Sequence, residues 1–234
     1  MSQDTPTLQL HRHDTARQWV AAIVSATQSA LRPPGPHRLL LSGGSTPAPV
    51  YRALAGADGL DWSTLDVGLV DERWLPDGDA HRNDTLVQAN LLDLQPSARF
   101  QPLARPSAGW AGSAAAATAW WNTGPVPTLA LLGMGGDSHT ASLFPAAPGL
   151  PAAVSASTPY VPLDASGCPG AQAWPHRLTL TPAGLGLIPH RLLLLRGQDK
   201  LDTLEAALQS GCKDRHPVLH ALAGPLPLQV HWCA

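Results

Sequence analysis

The run Thr128–Pro145, TLALLGMGGDSHTASLFP, decides the fold. Its first part, Thr128–Leu132, is a short apolar stretch that reads as a buried strand. Three glycines, Gly133, Gly135 and Gly136, follow at once and make a loop that can pass close to a ligand. His139 stands where that loop is expected to turn into a short helix, Thr140–Leu143. A neutral imidazole can take a proton from water near neutral pH. Asp137, two residues earlier, can hold the ring or favour its protonated form. A histidine at such a turn can equally be a cap or a surface residue.

Working outward, the same unit recurs. Arg38–Leu41 is a strand, followed by SGGSTP (Ser42–Pro47) and a helical face of Pro47, Val50, Tyr51 and Leu54. Val67–Val70 is a strand running into Asp71-Glu72-Arg73-Trp74, and Val87, Leu91 and Leu94 begin another helical face. Leu192–Leu195 is a strand, then Gly197 and a helix with Leu201, Leu204 and Leu208. Leu8–His11 reads as a first strand, with Asp14 capping the helix that follows. Ala111–Trp121 is helical by propensity, and Arg177–Thr181 alternates like a half-buried strand. Leu228–Trp232 is expected at a sheet edge, because Pro225 and Pro227 precede it. Strands alternating with helices predict an α/β fold, a mostly parallel sheet with helices on both faces. Ligands bind such sheets beyond the carboxyl ends of the strands. Four strand ends, Ser42–Thr46, Asp71–Arg73, Gly133–His139 and Gly197–Lys200, should therefore meet at one edge.

Each of these ends has its own chemistry. Gly43 and Gly44 let backbone N–H groups approach a phosphate, a carboxylate or a developing oxyanion, though an ordinary tight turn looks the same. The segment is neither a Walker loop nor a nucleophile elbow, so Ser45 is not expected to be a nucleophile. The two acids and the arginine of Asp71-Glu72-Arg73 can orient a water or bind a polar substrate, with Arg73 clamping an anion through its planar fork, or they can form a plain surface ion pair. Arg177 opens the RLTLT strand, and Lys200 sits in the first turn of a helix. A cation there opposes the helix dipole, which makes more sense if an anion binds beside it.

Composition bounds the rest. With 234 residues, 44% apolar and 14% charged, the chain can bury a core and is not disordered by composition. A single domain spanning residues 1–234 is expected. A net charge of -2 offers no footprint for nucleic acid or an anionic membrane. No apolar run approaches the roughly 20 residues a membrane span needs. The opening MSQDTPTLQLHRHD has no basic segment followed by an apolar one, so no leader is expected. Cys168, Cys212 and Cys233 lack disulfide or zinc spacing. A cytoplasmic location is the expectation, and a monomer the default, since no long apolar surface helix stands out.

In this order the segments resemble the 6-phosphogluconolactonases. LLLSGGSTPAPVY, VDERW followed by Asn83, and above all LLGMGGDSHTASLFP resemble that family's glycine-loop segments; RLTLT, LLLLRGQDK and PLQVHWCA resemble its closing third. The resemblance runs from about residue 38 to the end. It implies a Rossmann-like sheet shared with glucosamine-6-phosphate deaminases. It further implies hydrolysis of 6-phospho-D-glucono-1,5-lactone to 6-phospho-D-gluconate, in the oxidative pentose phosphate pathway, with no metal and no organic cofactor. The only partner implied is the small sugar-phosphate substrate. By matching position, His139 would be the base that activates water, and Asp137 would orient or polarise that base. Gly43 and Gly44 would present backbone donors, Arg73 would line the pocket, and Arg177 and Lys200 would bind the phosphate. The family usually carries glycine just before the histidine, where this chain has Ser138. If that position holds a positive φ, serine tolerates it poorly, which bears on loop geometry more than on the reaction. Two other readings stand beside this one: a deaminase-like amino-sugar-phosphate isomerase, and a non-catalytic sugar-phosphate sensor that kept the fold.

Overall fold

Runs of leucine bury poorly unless covered on both sides, and the central strands here are such runs. The computed structural model describes residues 8–234. Residues 1–7, part of the stretch on which the missing leader was read, lie outside them. Leu39, Leu40 and Leu41 in β2 (His37–Leu41), Leu129–Leu132 in β6 and Leu192–Leu195 in β9 (His190–Arg196) are all almost wholly buried. They form the middle of a seven-stranded sheet. Its other strands are β1 (Leu8–His13), β3 (Leu65–Leu69), β5 (Arg99–Phe100) and β10 (Leu228–Cys233), in the order β1-β10-β9-β6-β2-β3-β5. Every pairing in it is parallel. One sheet thus joins the first described strand to the last.

Helices cover both faces. On one face α1 (Ala16–Leu31) buries Trp19 and Ile23 completely, and the Trp19 indole N–H donates to the His231 carbonyl at 2.9 Å. Arg196 on β9 lies over the same Trp19 ring. On the other face α7 (Gln198–Ser210) reaches β1 through Glu205, 3.6 Å from Arg12. Helix α2 (Ala48–Ala55) buries Val50, Tyr51 and Leu54, the face expected from their spacing. The alanine-rich stretch is helical over α4 (Gly109–Asn122) and buries Trp121. Two shorter helices, α3 (Asn83–Val87) and α5 (Leu150–Ser155), and α6 (Pro182–Leu187) complete the layers. Among the described residues no helix is long and apolar enough to cross a membrane.

Several local expectations are corrected. β10 lies inside the sheet, between β1 and β9; the edge is β1. Pro225 and Pro227 precede the strand, so neither removes a donor from its ladder. Thr15, not Asp14, caps α1: its hydroxyl accepts from Gln18 N, and the Gln18 side chain accepts from Thr15 N, a reciprocal capping box. Thr140–Leu143 is a tight turn rather than a helix, since Ala141 has φ +50°. Leu94 falls beyond the α3 turn and is 55% exposed. The RLTLT segment, as β8 (His176–Leu180), leaves the main sheet altogether. It pairs antiparallel with β4 (Asp71–Arg73) and β7 (Tyr160–Asp164) in a separate three-stranded sheet, with Leu178, Thr179 and Leu180 fully buried.

At the β1 edge, three imidazoles stack. His11 and His231 are register partners with ring centroids 4.7 Å apart, and His13 stacks on His231 at 5.3 Å. Burial first, then the neighbouring His11 and His13, push His231 down from 6.5 to about 4. Between these values the unfolded chain binds the extra proton and the folded chain does not. His231 therefore contributes stability that is complete above pH 6.5 and is lost as pH falls toward 4, up to about 3 kcal/mol. Urea unfolding at steps from pH 7 to 4 should show this loss, and His231→Leu should flatten it. Identical slopes in the two proteins would contradict the assignment.

Candidate active site

The parallel sheet sends β2, β6 and β9 out at the same edge, and β4 follows β3 there after one residue, Val70. A cleft of about 260 Å³ opens at that edge. Its lining includes Gly43, Gly44, Arg73, His139, Arg177 and Lys200, so six of the seven residues singled out from sequence meet in one place. The seventh, Asp137, sits behind His139 and reaches the cleft through it.

The loop after β6 closes on itself: Gly135 N–H donates to the His139 carbonyl at 2.9 Å, and Ser138 N–H to the Gly135 carbonyl at 3.1 Å. Gly135 is required there. A Cβ at that position would lie 2.1 Å from His139 Nδ1. The Asp137 carboxylate accepts from His139 Nδ1 at 2.5 Å and from the His139 backbone N–H at 3.1 Å. Burial disfavours its charge, but the hydrogen bonds and charge of His139 outweigh it and hold Asp137 below the usual carboxylate range. An ionised Asp137 fixes the proton on Nδ1. In the neutral form of the ring His139 Nε2 is then an acceptor on the cleft side, and it has no hydrogen-bond partner among the described residues. The ring packs on Phe144, centroids 4.3 Å apart.

The DER segment divides by strand alternation. In β4, Asp71 and Arg73 share one face and line the cleft, while Glu72 points the other way. Glu72 is fully buried and accepts backbone N–H bonds from Arg73, Asn83 and Asp84 at 2.7, 2.7 and 2.8 Å. Burial still pushes it up to about 8. It anchors the start of α3. Asp71 accepts from Ser142 Oγ at 2.5 Å, and the Asn83 amide donates to the Asp71 carbonyl at 2.8 Å. The Asn83 amide oxygen in turn packs where a Cβ of Gly43 would be, 1.8 Å away, so Gly43 must lack one.

The cations face the cleft without carboxylate partners. Arg73 and Arg177 are direct cross-strand neighbours, a like-charge pairing that costs stability unless something neutralises it. Arg73 lies over the Trp174 ring at 4.6 Å and donates to the His81 carbonyl. Arg177 is buried, lies over Phe144, and donates to the carbonyls of Trp174 and Ala171 at 2.7 and 3.0 Å. Burial works against its charge, as does Arg73, while Asp71 and Glu72 favour it. Lys200 stands in the first turn of α7, after Gly197 at φ +92°, with its Nζ 3.7 Å from where a Gly136 Cβ would be. None of the three forms an ion pair among the described residues. This is a place for an anion. Among the described residues no group of three His, Cys, Asp or Glu side chains could hold a metal ion.

Asn83, Phe144, Gln172 and Arg196 also line the cleft without having been assigned a site role from sequence, and Asp71 joins them. Asp71 was legible in principle, since reading DER as a strand puts it on Arg73's face. Gln172 comes from a loop at φ +55° and carries no sequence signal. Ser45 and Thr46 do not cap α2, whose N-cap is Pro47.

Known proteins resemble the chain over nearly its whole length. The sequence profile described as "Glucosamine-6-phosphate isomerases/6-phosphogluconolactonase" matches residues 11–232. The chain is 47% identical to the 6-phosphogluconolactonase of Xylella fastidiosa (strain 9a5c) over 96% of each chain. It is 39% identical to that of Pseudomonas aeruginosa, over 94% of this chain and 90% of the relative. Its fold superposes on the crystal structure of a 6-phosphogluconolactonase from Shewanella baltica OS155 with a TM-score of 0.88, at 28% identity, covering 97% and 98% of the two chains. A profile match over nearly the whole length, joined to these identities, places the chain in the glucosamine-6-phosphate isomerase/6-phosphogluconolactonase family.

Proposed function

We propose that this chain hydrolyses 6-phospho-D-glucono-1,5-lactone to 6-phospho-D-gluconate, in the oxidative pentose phosphate pathway. The observation that carries the reading is the Asp137–His139 pair, with Nε2 free at a cleft whose lining includes Arg73, Arg177, Arg196 and Lys200, none of them in an ion pair among the described residues. His139 Nε2 takes a proton from water as the water oxygen bonds to the lactone carbonyl carbon. The carbonyl π electrons move to oxygen, and backbone N–H groups at Gly43 and Gly44 receive that oxyanion. As the carbonyl reforms, the bond from carbon to ring oxygen breaks, and the imidazolium returns its proton to that oxygen. Asp137 keeps the ring oriented and stabilises the imidazolium in between. Arg177 and Lys200 hold the phosphate, with Arg73 along the wall; a remote charge of this kind supplies binding energy that fixes the reacting carbon.

The intact dyad favours a hydrolase over a non-catalytic sensor. One sheet running from β1 to β10 supports reading the chain as a single lactonase domain. We take it to act as a cytoplasmic monomer.

With lactone generated in situ from glucose 6-phosphate, His139→Ala should lose about 10²- to 10⁴-fold in kcat, the usual worth of a general base. A variant as fast as wild type would rule His139 out as the base. Lys200→Ala should raise KM for the phosphorylated lactone far more than for the unphosphorylated one. Wild type that handles both lactones with equal efficiency would remove the phosphate assignment.

A further inference from the structure

We propose that Ser138 and His216 form a clamp that holds the Asp137–His139 pair in register, making His216 a positioning residue for the hydrolysis; the inference rests on that reading of the dyad. Ser138 is the single residue between the two members of the pair, so its backbone angles set how the carboxylate meets the ring. It sits at φ +65°, a left-handed conformation that a side chain rarely adopts, and it is 1% exposed. Something other than local preference must keep it there.

Every polar group of Ser138 is engaged, and two of the three reach a segment distant in sequence. Its N–H donates to the Gly135 carbonyl within the loop. Its carbonyl accepts from Val218 N–H at 3.0 Å. Its hydroxyl oxygen lies 3.0 Å from His216 Nδ1, 2.5 Å from the Asp137 carbonyl and 3.3 Å from the Arg215 carbonyl. A hydroxyl has one hydrogen, and carbonyl oxygens only accept. That hydrogen therefore goes to a carbonyl, and His216 Nδ1–H donates to the hydroxyl oxygen. The far side of the clamp is itself fixed. His216 N–H donates to the Cys212 carbonyl at 3.0 Å, and its own carbonyl accepts from Leu219 N–H at 3.0 Å. Pro217, Val218 and Leu219 open a buried 3₁₀ turn, Pro217–Leu222. The reacting imidazole is thus tied through one residue to a rigid platform about 80 positions further along the chain, while no atom of His216 belongs to the lining of the cleft.

The test compares lactone hydrolysis by Ser138→Ala, Ser138→Gly, His216→Ala, His216→Asn and the double variant Ser138→Ala/His216→Ala, with His139→Ala as reference. Ser138→Gly removes the hydroxyl while relieving the backbone conformation, so its loss cannot be ascribed to failure to fold. Misplacing a catalytic group by about 1 Å costs up to about 10²-fold. Each of Ser138→Ala, Ser138→Gly and His216→Ala should lower kcat about 10- to 100-fold while KM shifts by less than about threefold. The double variant should be no worse than the poorer single one. His216→Asn, whose amide places a donor near the Nδ1 position, should recover most of the rate. The low-field proton resonance of the Asp137–His139 bond should shift or broaden in Ser138→Gly and His216→Ala and return in His216→Asn. Wild-type kcat in the single variants, multiplied losses in the double one, or an Asn variant as poor as the Ala one would overturn the clamp. Wild type that fails to hydrolyse the lactone, or His139→Ala at full rate, would instead overturn the hydrolase reading. The resonance then decides the clamp alone: unchanged in both disrupting variants, it is refuted.

Discussion

A parallel sheet delivers every strand's carboxyl end to the same edge, and the rest of this molecule follows from that constraint. β2, β6 and β9 are buried leucine-rich runs that can exist only under helices on both faces. Once they are stacked in that order, the turns after them cannot avoid one another. The glycines after β2 and β6, and Lys200 at the start of α7, therefore meet though they lie far apart in the sequence. The small antiparallel sheet adds what the main sheet cannot, two arginines side by side on β4 and β8.

The site also depends on which charges are neutralised by the protein and which are not. Asp137 is matched to His139 and held ionised by it. Glu72 sits on three backbone donors and serves α3. Asp71 is taken up by Ser142. Among the described residues that leaves Arg73, Arg177, Arg196 and Lys200 without carboxylate ion pairs at the cleft. Folding does not benefit from two arginines placed opposite each other. Under the proposed function an anionic substrate would, and its binding would offset the local cost in stability.

Much of this was legible in the sequence, because it rests on local signals. Apolar runs ending in glycine gave the strands and their open ends, and the spacing of Val50, Tyr51 and Leu54 gave the face of α2. What stayed hidden was long-range pairing. Nothing in RLTLT says that it leaves the main sheet for β4, and nothing in PLPLQVHW says that β1 will pair outside it and take the edge. Asp71 and Glu72 are equivalent neighbours until β4 is known to be a strand, which puts one in the cleft and the other in the core. Ser138 is the plainest case. The positive φ considered at that position is there, at +65°. Its support comes from His216 and Val218, on a segment no local reading would connect to it.

In the proposed binding mode, a sugar phosphate would lie with its reacting carbon at His139 and its phosphate at Arg177 and Lys200. A crystal structure of the complex with 6-phospho-D-gluconate would test this most directly. The product carboxylate should lie within about 3 Å of His139 Nε2, within hydrogen-bond reach, and the phosphate should contact the Arg177 guanidinium and the Lys200 ammonium. A product bound in the opposite sense, with its phosphate at His139, or bound outside the cleft, would contradict it.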